Sequence, residues 1–329
     1  MAIGLVGIRV GHTPDAGGGG GSGGGSYDNL NTWPSAANRP VYNAGTNTLT
    51  WYGPTDGGAS TSSDVQQSQV LTAQTSLLTT SSDGQIIENL KVTVSGQVCV
   101  QVNHNNVTIR RCYIEGPGGS DKYNVAITPG VTGTLIEDCE IDGNGSSSDS
   151  GSFNILGHGG ILSSCTVRRC HLHDAEQMVA RTMQDVTIID NYMHDTQGVD
   201  ADMVEMYVDS GDSHDNLIQH NTFEQTGAGT GFNSAINMSN WISPNKIYNV
   251  MIENNRFLVP DFPHVFCDDN RQGSGTLNYA AINNGFINTI GSVSTGDNNG
   301  VSPNSGNFVL TGTSDTLITG AAFNGTGAI

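Results

Sequence analysis

Between residues 83 and 290 short apolar runs recur with one internal pattern. The phrase NNVTIRRCYI stands at 105–114, TLIEDCEI at 134–141 and CTVRRCHL at 165–172. VTIIDNYM follows at 186–193, NLIQHNTF at 216–223 and VMIENNRF at 250–257. Aligned on the third letter, the phrases place Ile87, Ile109, Ile136, Val167, Ile188, Ile218, Ile252 and Ile282 in one column, at intervals of 22, 27, 31, 21, 30, 34 and 30 residues. Three letters on stand Leu90, Cys112, Cys139, Cys170, Asn191, Asn221, Asn255 and Gly285. Two beyond these come Val92, Ile114, Ile141, Leu172, Met193, Phe223, Phe257 and Ile287.

The apolar letters alternate, shift phase once within each phrase, and are mostly β-branched. No i, i+3, i+4, i+7 stripe is sustained, so the pattern predicts strands and a bend rather than a helix. Repetition at this length predicts a solenoid. Stacked turns about 4.8 Å apart would make each column a ladder. Cys112, Cys139 and Cys170 then form a thiol ladder continued by Asn191, Asn221 and Asn255, whose amides can bond one another. Arg111, Asp138, Arg169 and Asp190 alternate in sign at one outward position, and Arg110, Glu137 and Arg168 at another, as opposed rows would require.

These phrases resemble the right-handed parallel β-helix superfamily of pectate lyases, polygalacturonases, alginate-active enzymes and phage tailspikes. The resemblance implies an all-β fold: a single-stranded right-handed parallel β-helix of about eight rungs, one for each aligned repeat, with an N-terminal extension. Residues 1–26 read as a peg followed by the flexible linker GGGGGSGGGS, 27–82 as an irregular cap region anchored by Trp33 and Trp51, and 291–329 as a C-terminal cap. With that linker, the likeness is greatest to a phage tail or spike protein.

Glycine numbers 44 of 329 residues and charged residues make up 13%, which fits many strands and turns. A net charge of −19 without a basic stripe argues against nucleic acid as a partner. No apolar stretch is long enough for a membrane-spanning helix, and the N-terminus lacks the marks of a signal peptide. The six cysteines sit within apolar patterns without zinc-ligand spacing, so buried free thiols and no metal are expected.

Candidate chemistry gathers in two places. The letter after each phrase gives a row of Glu115, Asp142, His173, His194 and Glu224, with Asp174 and Asp195 alongside. The segment HDTQGVDADMVEMYVDSGDSHD, 194–215, holds two histidines and seven acids. Glycoside hydrolysis needs two carboxylates about 5–5.5 Å or about 6.5–9.5 Å apart. Asp202 with Asp200 or Glu205 can supply such a pair, and His194 a proton-transfer group. A lyase would need a cation, and Arg181 falls one rung before Glu205 and Tyr207, with Asn237 and Asp268 on later rungs. Asp195, Tyr207, Asn237, Asp268 and Trp241 are the expected sugar contacts, Trp241 by stacking. In related enzymes and phage proteins a stretch resembling His-x-Asp-Gly-x-Gln precedes the next rung. Here Asp200-Ala-Asp202-Met203-Val204-Glu205 keeps only Asp202.

Turn chemistry alone also accounts for these acids, and Ca²⁺ suits the oxygen-rich DSGDSHD at 209–215. His171, His173 and His194 read as surface spacers. The expected function is a virion-surface protein that binds and cleaves cell-surface polysaccharide, tethered to other virion proteins through its N-terminus, with a homotrimer as the assembly of related spikes. The alternatives are a non-enzymatic decoration protein and a free bacterial lyase or hydrolase.

Overall fold

Each repeat folds as short strands joined at fixed bends. The structure is a computed structural model. It describes residues 34–36, 38–53, 65–118, 121–145, 152–198, 201–208, 210–225, 232–239, 245–259, 265–268, 277–286, 293–295, 304–305 and 308–309. Among these the chain is all-β, with no helix and therefore none long and apolar enough to cross a membrane.

Strands pair in parallel with the strand three elements further along the chain, and the resulting sheets are long and strongly curled. A ten-stranded sheet runs from Thr72–Gln74 through Leu90–Thr93, Tyr113–Glu115, Glu140–Asp142, His171–His173, Tyr192–His194, Thr222–Glu224, Arg256–Leu258 and Gly285–Phe286 to Phe308–Val309. An 18-stranded sheet holds two further series. One includes Lys122–Ile127, Ser152–Ser163, Gln177–Gln184, Ala201–Tyr207 and Phe232–Ser239. The other includes Thr108–Arg110, Thr134–Glu137, Cys165–Arg168, Thr187–Ile189, Ser213–Gln219 and Ile247–Glu253. This arrangement is solenoid-like.

The predicted columns are real neighbours. Ile87, Ile109, Ile136, Val167, Ile188, Ile218 and Ile252 pair in succession, as do Val92, Ile114, Ile141, Leu172, Met193, Phe223 and Phe257. Both columns belong to one continuous apolar cluster in the interior. Each such side chain, fully buried, contributes about 1.5–3 kcal/mol. The last repeat departs from expectation by one residue. Ala281, not Ile282, lies opposite Ile252, and Asn284 rather than Gly285 follows Asn255.

The bend has a fixed conformation. Asn89, Arg111, Asp138, Arg169, Asp190, His220, Asn254 and Asn283 all adopt φ between 51° and 59°. This is the left-handed region, which Asn, Asp and His enter more readily than most residues. From Cys112 onward, the next residue in each turn points inward and its side chain donates to a carbonyl of the preceding turn. Cys139 Sγ and Cys170 Sγ face Ile109 O at 3.7 Å and Ile136 O at 3.6 Å. Asn191, Asn221 and Asn255 place Nδ2 2.9, 2.8 and 2.9 Å from Val167 O, Ile188 O and Ile218 O. Their amides also chain together, Nδ2 of each donating to Oδ1 of the next at 3.0, 3.0 and 3.1 Å from Asn191 to Asn284. Cys99, Cys112, Cys139, Cys165 and Cys170 are buried free thiols, and burial pushes Cys165 up to about 12. They are small interior donors without reactivity.

Outside, Arg110 Nε donates to Glu88 at 2.8 Å, Arg168 reaches Glu137 at 2.7 Å, and Arg169 bonds both Asp138 and Glu137. Within the alternating rows, Glu137 with Arg168 and Asp138 with Arg169 are therefore ion pairs between successive turns, while Asp190 bonds His220.

Residues 41–70 were expected to be irregular. Instead Val41–Asn43, Thr48–Gly53 and Val65–Val70 form an antiparallel sheet. It packs on the ten-stranded sheet: Leu49, Trp51, Leu71 and Tyr113 form a second apolar cluster, and the Tyr42 ring stacks on Tyr113 at 4.1 Å.

Candidate functional site

Strand alternation and register create two polar sites on different sheets. The first lies on the strand Ala201–Tyr207. Asp202 pairs with Gln177 on one side and Ser234 on the other, and Glu205 pairs with Ala180 and Asn237. Asp202 is only 1% exposed. Ser234 Oγ donates to its Oδ1 at 2.6 Å and Asn237 Nδ2 to its Oδ2 at 2.9 Å. Both oxygens of this buried carboxyl group therefore have a donor. Glu205 is half-buried and stands opposite Asn237 in the strand register.

Arg181 follows Ala180 directly and holds φ at 110°, a strained value for a residue with a Cβ. Its guanidinium lies 4.9 Å from the Phe153 ring centre. Tyr207 pairs with Ser239, and its carbonyl accepts from Thr182 Oγ1 at 2.6 Å. Asp268 occupies the next strand, opposite Ser239. Asp200 and Trp241 lie outside the described residues.

His194 and Asp195 belong to the second site, on the ten-stranded sheet. Glu115, Asp142, His173, His194 and Glu224 stand in one column, each opposite the next. Beside it, two residues back, runs Tyr113, Glu140, His171, Tyr192 and Thr222. His171 and His173 share a face because they are two apart on one strand. His194 sits across from His173, and Glu140 across from His171. The rings stack, with centroids 4.2 Å apart for His171 and His173 and 4.8 Å apart for His171 and His194. Gly143 makes room for the adjoining turn, since a Cβ there would meet Asp174 O at 2.2 Å.

Each histidine has its Nδ1 held. His171 Nδ1 lies 3.1 Å from Pro40 O, His173 Nδ1 2.8 Å from Asp174 Oδ2, and His194 Nδ1 2.9 Å from Asp195 Oδ2. The Nε2 atoms face inward to the cluster. His171 Nε2 and His194 Nε2 are 2.6 Å apart, and His173 Nε2 is 3.2 Å from Glu140 Oε1. Glu140 also accepts the Tyr42 N–H, so the antiparallel sheet reaches into the site.

Burial lowers the His171 pKa to about 3, keeping that ring neutral. Burial opposes charge on His173 too, but Asp174 and Glu140 outweigh it and raise its pKa to about 9. Burial likewise works against an ionised Glu140, and hydrogen bonds from His171 and His173 overcome it, taking the pKa to about 2. Tyr113 and Tyr192 are pushed up by burial and nearby carboxylates, so both phenols act as donors, to Asp142 and Glu224.

Among the described residues, His171, His173 and His194 bring possible ligand atoms within 4.8 Å of one another, as do Asp142, His173 and Asp174. The row through His173 and His194 was legible in the sequence. Glu140 was not assigned a role, and His171 and His173, expected to be surface spacers, are instead buried at 2% and 8% exposure, because the antiparallel sheet and the neighbouring turns cover them. Of the acids in 209–215, Asp209 lies outside the described residues, Asp212 Oδ1 accepts the Lys246 N–H at 2.8 Å, and Asp215 bonds His214 and Asn249.

No protein-family pattern, curated protein or solved structure matches the chain. The likeness to pectate lyases and phage spikes therefore has no matching relative behind it, and the parallel, curled sheets are what the structure contributes to it.

Proposed function

We propose that the chain is a right-handed parallel β-helix of about eight rungs, whose outer face binds and hydrolyses a linear, weakly charged polysaccharide. The observation that supports this reading is Asp202, enclosed and held by Ser234 and Asn237, with half-buried Glu205 three residues along the same strand and opposite Asn237 in the register. Glu205 is the group that meets substrate and moves the proton. Asp202 positions Asn237 and sets the local negative charge, which favours a protonated neighbour. Arg181, strained beside Ala180, supplies a hydrogen-bond donor to the sugar. The net charge of −19 disfavours a polyanionic glycan.

A glycine-rich tether ahead of a stiff body suits a protein mounted on a particle such as a phage tail, engaging host-surface glycan. The second reading is a non-catalytic spacer. It is favoured by Asp202 itself, whose enclosure and paired oxygens are what a structural carboxylate also needs.

Incubation with neutral capsule and cell-wall glycans, followed by assay of new reducing ends, separates the two. Glu205→Gln should lower cleavage by at least about 100-fold, within the range of a lost general acid. Asp202→Asn should lower it less. Cleavage unchanged in both variants removes this site, and absence of both binding and cleavage establishes the spacer.

A further inference from the structure

We infer that His171, His173, His194 and Glu140 form a binding site for one divalent transition-metal ion of the zinc class. The site is separate from Asp202 and Glu205 and does not depend on glycan cleavage.

The positions of the Nδ1 atoms carry this inference. Metal-bound histidines characteristically donate their second ring N–H to a carboxylate or a backbone carbonyl, which fixes the tautomer and aims the other nitrogen. All three rings show that arrangement, through Pro40 O, Asp174 Oδ2 and Asp195 Oδ2. A carbonyl or ionised carboxylate can only accept, so each Nδ1 holds its proton. In a neutral ring Nε2 is then a lone pair. Yet His171 Nε2 and His194 Nε2 approach to 2.6 Å. Two lone pairs repel at that distance, so the contact as it stands holds a shared proton; nitrogens on one tetrahedral ion, at bonds of about 2.0–2.1 Å, stand about 3.3 Å apart, so an ion would displace that proton and part the two rings slightly.

The surroundings favour the metal. His173 brings a ligand atom within 4.8 Å of those of His171 and His194, and Glu140 Oε1 borders the group, 3.2 Å from His173 Nε2 and 3.4 Å from His171 Nδ1. Three imidazoles and one carboxylate make a donor set of the nitrogen-rich kind that zinc takes in four-coordinate sites. The ligands come from three adjacent strands of a stacked sheet, with His171 2% and His173 8% exposed, so the rings are held before an ion arrives. The ion would replace the proton at His173 Nε2 and release it to solvent. Zinc-type spacing in the sequence gives no hint of this, because residues 140, 171, 173 and 194 meet only through register.

The ion's role is also readable. His171 holds Pro40 O and Glu140 holds the Tyr42 N–H. Metal ligation of these two side chains would clamp the N-terminal antiparallel sheet onto the ten-stranded sheet.

The test uses the full chain, freed of metal by chelator and dialysis. Titration with Co²⁺ should give the visible absorption of a tetrahedral nitrogen- and oxygen-ligated ion, saturating at one per chain, and Zn²⁺ should abolish it. Zn²⁺ should raise Tm. His194→Gln should weaken Zn²⁺ binding at least about 30-fold, and Asp195→Asn about 10-fold, the scale of a lost orienting contact. His214→Gln, which removes a similar His–Asp pair elsewhere, should leave binding unchanged. If His194→Gln does not fold, the Co²⁺ spectrum of the unaltered chain decides alone. Absence of that absorption, or Zn²⁺ binding indifferent to His194, overturns the inference and leaves a proton shared between the rings.

Discussion

At the scale of the residue, one side chain per turn does a fixed task, and charge pairs outside hold neighbouring turns together. Glu137 is 8% exposed and accepts from both Arg168 and Arg169. Burial opposes its ionisation, but the two guanidiniums outweigh burial and hold its pKa below the usual glutamate value. A depressed carboxyl contributes stability above its unfolded pKa, near 4.5, and loses it as pH falls toward the folded value. Asp138, deeper still, is shifted upward by burial despite Arg169, so its contribution has the opposite sign. Substitution isolates the glutamate. Glu137→Gln should cost about 2–3 kcal/mol at pH 7, the scale of hydrogen bonds to a charged group. Denaturant melts should show that gap closing as pH drops below about 4.5. A gap constant with pH would mean the ion pairs are not what Glu137 contributes. The Cys-to-Asn ladder was legible because both residues are small donors at one recurrent position. The slip at Ala281 was not, because an apolar Ile282 next to a small Ala281 hides which of them faces inward.

At the scale of the element, strands with a repeated apolar column could be placed from sequence, and strands without one could not. Val65–Val70 reads VQQSQV, and its sheet has no repeat to align with. Its order comes from tertiary contact: Trp51 is 5% exposed among Leu49, Leu71 and Tyr113. The same contact explains why half of the histidine site was illegible. Pro40 O and the Tyr42 N–H arrive from that sheet, over 90 residues from their partners. Trp51→Ala should remove about 3–5 kcal/mol from the attachment of this sheet. Hydrogen exchange should then speed up in 41–53 and 65–70, while amides of Thr134–Glu137 and Cys165–Arg168 stay protected. Faster exchange in those strands as well would show that the antiparallel sheet is integral to the solenoid rather than laid upon it.

At the scale of the whole molecule, the parallel strands pair chiefly with those three elements before and after them. Stability in such an array is close to a sum of nearest-neighbour terms, so damage should stay near where it is made. Phe223 is fully buried and stacks on Phe257 at 4.9 Å with an angle of 12° between the rings. Phe223→Ala deletes that stack and leaves a cavity in one turn, at a cost of about 3–5 kcal/mol. The turns around Thr222–Glu224 and Arg256–Leu258 should therefore lose protection first, at a denaturant concentration where Tyr113–Glu115 and Glu140–Asp142 remain folded. Far-ultraviolet dichroism would then show two transitions in place of one. A matching truncation of Ile114 should reverse the order, releasing the N-terminal turns first. A single transition in both variants, with protection lost evenly along the chain, would mean that the shared apolar interior couples the turns more strongly than their pairing does.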